Sequence, residues 1–120
     1  MSKKFNILIT NTKRSIQYLK LLNKKKLFPN QVIYLDDNKR NSISNNLRKI
    51  INLQKYNLSI FKTDNINNVN VVKCLTKSKI KNIIYSGYPA KIVKNKKILK
   101  EKNLIHSHPG FLPYYKGSTT

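Results

Sequence analysis

Apolar and polar positions along the chain repeat with two different periods. Phe5-Asn6-Ile7-Leu8-Ile9-Thr10 is rich in β-branched residues and predicts a short strand. From Arg14 to Asn23 the positions Ile16, Leu19, Leu21 and Leu22 recur at broadly helical spacing. Pro29 and Asn30 break that segment. Gln31-Val32-Ile33-Tyr34-Leu35, closed by Asp36-Asp37-Asn38, predicts a second strand. Leu47, Ile50, Ile51 and Leu53 predict an amphipathic helix over 45–54, and Leu58-Ser59-Ile60-Phe61 a third strand. The asparagine-rich stretch 64–70 predicts a loop, followed by a helix over 71–77 that turns Val71, Val72 and Leu75 inward. Asn82 to Ser86 reads as a fourth strand ended by Gly87, 96–102 as a short helix, and Leu104 to His108 as a fifth strand. Pro109, Gly110, Pro113 and Gly117 make the remainder a loop.

Strands alternating with helices at this spacing imply an α/β fold, a parallel sheet with helices on its faces. Such sheets bind ligands beyond the carboxyl ends of their strands. Four loops then matter: Thr10 to Arg14, Asp36 to Arg40, Gly87 to Val93, and His106 to Gly117. No GxGxxG follows the first strand and no GxxxxGK[ST] occurs, so neither a dinucleotide site nor a P-loop is supported. With 120 residues, no internal repeat and no linker, the chain reads as one domain.

The charge balance is extreme: 25 Lys and Arg against four acids, a net charge of +21. It is not by itself a nucleic-acid signal. The 22 lysines, 17 asparagines and 15 isoleucines all use AT-rich codons. Arginine, which forks onto phosphate and guanine, numbers three. The lysines are spread along the chain, as base composition alone would scatter them. The resulting field still attracts anions at low salt, without choosing among phosphates, nucleotide sugars, polyglutamylated cofactors and tRNA. With only Asp36, Asp37, Asp64 and Glu101 available, a carboxylate metal cage or a two-carboxylate glycosidase site is not expected. No apolar run approaches the ~20 residues of a membrane span, so no membrane partner is expected. The apolar stretch near the start, interrupted by Asn6 and Asn11, is too short for a signal peptide. The single cysteine, Cys74, forms no internal disulfide and fits a reducing compartment, which makes a cytoplasmic address the expectation.

Candidate chemistry concentrates in the last seventeen residues, LIHSHPGFLPYYKGSTT. His106 and His108 lie two apart at a strand end, so their side chains share one side. Spacing alone is equally satisfied by two ordinary polar residues leaving a strand. A zinc site wants at least three protein ligands, and Cys74 and the four acids form no ligand-like cluster, so no metal is expected.

The stretch HSHPGFLPYYKG resembles the signature of the folate-dependent formyltransferases, and SGYPAKIVKNKKILK resembles the segment that precedes that signature. The family includes glycinamide-ribonucleotide, methionyl-tRNA and amino-sugar formyltransferases. Residues 1 to 80 agree with it only as a strand-helix pattern. The resemblance implies a Rossmann-like open parallel sheet with helices on both faces. It implies 10-formyltetrahydrofolate as formyl donor and a small primary amine, such as an amino sugar, as acceptor. It assigns proton transfer and polarisation of the formyl group to His108. It puts His106 where the family has an asparagine that donates to the oxyanion. Tyr88, Pro89, Lys91, Ile92 and Val93 fall in the folate pocket, with main-chain groups of Lys91 to Val93 on the pterin and Ile92 and Val93 as its apolar wall. Gly110, Leu112, Pro113 and Gly117 shape the loop under the formyl carbon.

Two departures qualify the resemblance. His106 replaces the asparagine, and the catalytic aspartate that the family carries some tens of residues further on has no counterpart before Thr120. The expectation is therefore an amino-terminal part of a formyltransferase catalytic domain, with little turnover of its own. A methionyl-tRNA formyltransferase is a second reading that the charge would suit, but that subfamily usually has a glycine in the loop after the first strand, and Ile9-Thr10-Asn11-Thr12-Lys13 has none. A formyltetrahydrofolate hydrolase, or a non-catalytic fragment that keeps the fold, would carry the same motif.

Overall fold

A computed structural model describes residues 4–88 and 93–105. Five strands, β1 (Asn6–Thr10), β2 (Gln31–Leu35), β3 (Leu58–Phe61), β4 (Asn82–Tyr85) and β5 (Asn103–Ile105), form one sheet in the order β3-β2-β1-β4-β5. Every pairing among the described residues is parallel; Leu8, for example, faces Ile33 on one side and Tyr85 on the other. Helices alternate with the strands: α1 (Lys13–Lys24), α2 (Asn41–Gln54), α3 (Val69–Lys77) and α4 (Lys96–Glu101). This is a Rossmann-like α/β fold. Among the described residues no helix is long and apolar enough to cross a membrane.

The chain first builds outward from β1 to β2 and β3, then returns past β1 and builds the other way through β4 and β5. Right-handed crossovers on both legs put α1 and α2 on one face and α3 and α4 on the other. Two cores result. Ile7, Ile9, Val32 and Tyr34 meet Tyr18, Leu19, Leu22, Leu47 and Ile51 on the first face. Leu8, Ile33, Leu35, Ile83 and Tyr85 meet Val71, Leu75 and Ile98 on the second. β1 is buried along its whole length because helices cover it on both sides, which is why it shows an apolar run instead of alternation.

Polar caps set the helix starts. The Thr12 side chain accepts from the Ser15 N–H at α1, Asn68 from Asn70 N–H at α3, and Asn95 from Ile98 N–H at α4. Lys55 ends α2 in the left-handed region with φ 53°. The expected boundaries shift accordingly. α2 begins at Asn41, four residues before the expected start, and its first turn carries Ile43, packed against the core, and the buried Ser44. α3 begins at Val69 within the stretch expected to be loop, where Ile66 is also buried. Leu21 and Leu53, placed on apolar stripes by spacing, are exposed, Leu53 at 80%. At 100° per residue both lie more than a quarter-turn from the centre of the buried face of their helix. The fourth strand ends at Tyr85, although the Ser86 N–H still reaches the Leu8 carbonyl at 2.9 Å. The fifth is described to Ile105; the expected strand residues beyond it lie outside the described residues.

Candidate functional site

Strand order reverses between β1 and β4, and the loops leaving their carboxyl ends diverge there. This is the position at which open α/β sheets bind ligands. Most of the residues gathered at this end come from the first three of the four loops singled out by sequence and from the starts of α1 and α2, joined by Tyr34, Arg48, Lys62 and Ser86.

One cluster consists of hydroxyls. Thr10 closes β1 and its Oγ1 donates to the Ser86 carbonyl at 3.0 Å. Ser15, in the first turn of α1, accepts from the Thr10 N–H at 2.9 Å and lies 2.8 Å from Ser86 Oγ. Thr12 Oγ1 is 3.0 Å from Thr10 Oγ1. Thr10, Ser15 and Ser86 are fully buried, so these contacts satisfy groups that have lost water. The cluster clamps β1 to β4 at the switch point.

Beside it lies an amide-carboxylate cluster. The Asn11 amide nitrogen donates toward Asp37 Oδ1 at 2.9 Å, Asp36 Oδ1 at 3.1 Å and Ser44 Oγ at 3.1 Å. Both aspartates turn back on their own loop, Asp36 accepting from Asn38 N–H at 2.7 Å and Asp37 from Lys39 N–H at 2.9 Å. Asn38 takes a positive φ of 63°, which asparagine tolerates. Tyr34 adds a hydroxyl 3.3 Å from Asp36 Oδ2. Cations surround the pair: Arg40 bonds Asp37, and Lys62 and Arg48 stand 3.6 and 3.9 Å from Asp36 Oδ2. Two of the chain's three arginines and two of its four acids thus meet here.

Tyr88 completes the cluster. Its hydroxyl donates to Asn11 Oδ1 and to the Leu35 carbonyl, and its ring lies under the Arg40 guanidinium, 5.1 Å from the ring centroid. Burial, reinforced by the charge of Asp37, pushes the phenol far above its ordinary value, so it remains a donor at any working pH. For Asp37, burial opposes ionisation. The bonds from Asn11 and the Lys39 N–H and the charge of Arg40 outweigh it, and the carboxyl is held below its usual range. An acid held ionised with its oxygens occupied acts as an acceptor and anchor, not as a proton donor near neutrality.

Of the residues that sequence marks for a cofactor, Tyr88 and Val93 are described. Both pack into the core on the α3–α4 face, and Tyr88 is 7% exposed. The Lys94 N–H donates to Asn67 Oδ1 at 2.7 Å, tying the segment after Val93 to the loop before α3. Pro89, Lys91, Ile92, His106, His108, Gly110, Leu112, Pro113 and Gly117 lie outside the described residues. Sequence reasoning selects the loops but passes over Asn11, Asp36, Asp37, Arg40 and Ser44 as actors. The available signal is two adjacent aspartates, among only four acids, closing a buried strand.

Compared with models of protein families, with curated proteins and with solved structures, the chain finds no match. A functional reading therefore stands on the motif and on the geometry around it.

Proposed function

We propose that the protein transfers a formyl group from 10-formyltetrahydrofolate to the primary amine of an amino sugar or a related small molecule. The observation that carries this reading is the position of β5. It pairs in parallel with β4, Ile84 opposite Ile105, one strand away from the strand-order reversal, and HSHPGFLPYYKG follows it in sequence. The resemblance of that motif to the formyltransferase signature, together with a strand before it that ends on the ligand-binding side of this sheet type, supports the reading.

In the reaction the amine nitrogen attacks the formyl carbon and a tetrahedral oxyanion forms. The bond from that carbon to N10 of the folate then breaks. The amine gives up a proton, N10 gains one, and the products are the N-formyl amine and tetrahydrofolate. His108 is assigned the proton transfer and His106 the hydrogen bond to the oxyanion. Pro89, Lys91, Ile92 and Val93 are assigned to the pterin. Gly110, Leu112, Pro113 and Gly117 are assigned to the loop under the formyl carbon. Tyr88, whose hydroxyl is already engaged by Asn11 and Leu35, anchors the start of the pterin loop. A cytoplasmic location goes with this reading and with the single free thiol, Cys74.

Calorimetric titration with 10-formyltetrahydrofolate, followed by product analysis over a panel of amino sugars, tests the proposal. One-to-one folate binding by this chain, with N-formyl product from the full-length enzyme that is lost on His108→Ala, supports it. Tetrahydrofolate released with free formate would make the protein a hydrolase. Absence of folate binding overturns the reading.

A further inference from the structure

Five lysines meet at the opposite end of the sheet, by the amino ends of β4 and β5. Lys77 ends α3, Lys79 and Lys81 lie in the turn before β4, and Lys100 and Lys102 stand at the junction of α4 and β5. They surround a cavity of about 580 Å3 in which Glu101 is the single acid on the wall. Lysine supplies five of the eight residues that line this cavity. Helix C-termini attract cations and account for Lys77 and Lys100. They do not account for Lys79 and Lys81, which stand outside the helices.

Lys102 organises the cluster. It is the one buried lysine among the described residues, at 8% exposure. Its ammonium donates to the carbonyls of Ser78 at 2.6 Å and Ile80 at 2.9 Å. Those bonds hook the turn bearing Lys79 and Lys81 onto the α4–β5 junction, so cations from two segments are held together before any ligand arrives. Burial depresses the Lys102 ammonium below the ordinary lysine range; Lys81 and Lys97 push the same way and Glu101 opposes them. Several like charges fixed around one cavity with one carboxylate repel each other, and a multivalent anion relieves that repulsion.

The chemistry of the wall selects among anions. It offers ammonium point charges but no guanidinium fork, which suits several phosphate oxygens at variable distances better than one planar carboxylate. The volume lies within the range of small-ligand sites. We infer that this cavity binds a compact oligophosphate chain, inorganic or carried by a nucleotide, at a site separate from the carboxyl ends of the strands.

Titration calorimetry at physiological salt with tripolyphosphate, ATP and adenosine tests the inference on the whole chain. Tripolyphosphate is expected to bind one-to-one and adenosine not at all. ATP within about tenfold of tripolyphosphate assigns recognition to the phosphates alone, and a stronger ATP preference assigns the nucleotide as the source; both support the site. Lys79→Glu/Lys81→Glu is expected to weaken binding at least about tenfold. Lys20→Glu/Lys49→Glu, the same charge change on exposed positions of α1 and α2, is expected to leave it within about twofold. Lys79→Gln/Lys81→Gln, expected to give an intermediate loss, guards against misfolding of the charge-reversed variant, with circular dichroism as the check. Equal weakening by the two charge-reversed pairs, stoichiometry well above one, or affinity that grows with the length of an RNA homopolymer overturns the inference. Folate binding by Lys79→Glu/Lys81→Glu is expected to stay at the wild-type level, so this test and that of formyl transfer fail independently.

Discussion

The Tyr88 hydroxyl donates to the main-chain carbonyl of Leu35, 3.0 Å away. Leu35 ends β2 and Tyr88 lies three residues beyond β4, with β1 between those strands in the sheet. One side chain thus bridges three strand ends, because its other acceptor, Asn11, leaves β1. Changing it tests the whole carboxyl-end cluster.

Tyr88→Phe keeps the ring and its packing but leaves the Leu35 carbonyl and Asn11 Oδ1 without their donor. A buried acceptor stripped of its partner costs about 1–3 kcal/mol. The expected result is a lower urea midpoint with an unchanged denaturant slope. A wild-type midpoint would mean that water replaces the phenol and that the bridge contributes nothing net.

Asp37 gives the stability a defined pH dependence. Its folded pKa lies below the ordinary aspartate value of 3.8. Its contribution is therefore present above that value and is lost as pH falls through the lower, folded value. Urea midpoints measured from pH 7 down to 3 are expected to drop in the acid range, and Asp37→Asn to flatten part of that drop. Asn11→Ala removes a donor that favours the ionised form and is expected to shrink the part of the drop that Asp37 supplies. An acid limb unaffected by either substitution would exclude Asp37 as its source.

Gly87 is required by close approach and not by backbone freedom. A Cβ placed there would overlap the Tyr85 hydroxyl oxygen and meet the ring carbon bearing it at 2.5 Å. Tyr85 is buried in the core on the α3–α4 face, so its ring must shift against packed neighbours. Gly87→Ala is expected to destabilise by about 1–3 kcal/mol. Gly87→Ala/Tyr85→Phe, which removes the oxygen nearest the new methyl, is expected to cost less than the sum of the single changes. Strict additivity in the double-mutant cycle would refute the clash.

The formyl-transfer reading makes His106 the oxyanion donor in the full-length enzyme, where its variants are to be measured. An imidazole with an ordinary pKa of about 6.5 changes charge in the working range. His106→Asn is expected to retain formyl transfer and to flatten its pH profile near neutrality. His106→Ala is expected to lose the ~2.7–4 kcal/mol of transition-state stabilisation typical of a deleted oxyanion donor. Wild-type rates for His106→Ala between pH 6 and 8 would assign the oxyanion to a main-chain N–H instead.

Hydrophobic period alone determined the alternating strands and helices of the described residues in their order. Ile7-Leu8-Ile9 and Val32-Ile33-Tyr34-Leu35 are short, rich in β-branched residues and closed by polar turn residues, which favours buried strands over helix. The spacing of Leu47, Ile50 and Ile51 has one helical solution. Where a polar residue faces inward the same signal weakens: Ser44 is buried and bonded to Asn11 without an apolar label, and only the partly buried Ile43 extends the period into the first turn of α2. Strand order was the larger decision left to tertiary structure. Alternation implies parallel strands, but nothing local to Asn82–Tyr85 says that it lies beside β1 instead of β3; that follows from which helices cover which face. The carboxyl-end cluster depends on the same decision. Asn11 and Asp37 are 26 residues apart, Tyr88 and Leu35 are 53 apart, and the bonds between them exist because the sheet brings three strand ends together. A sequence carries the chemical character of such residues in their side chains, but their partnership is a property of distance, and distance is set by the packing of the two cores.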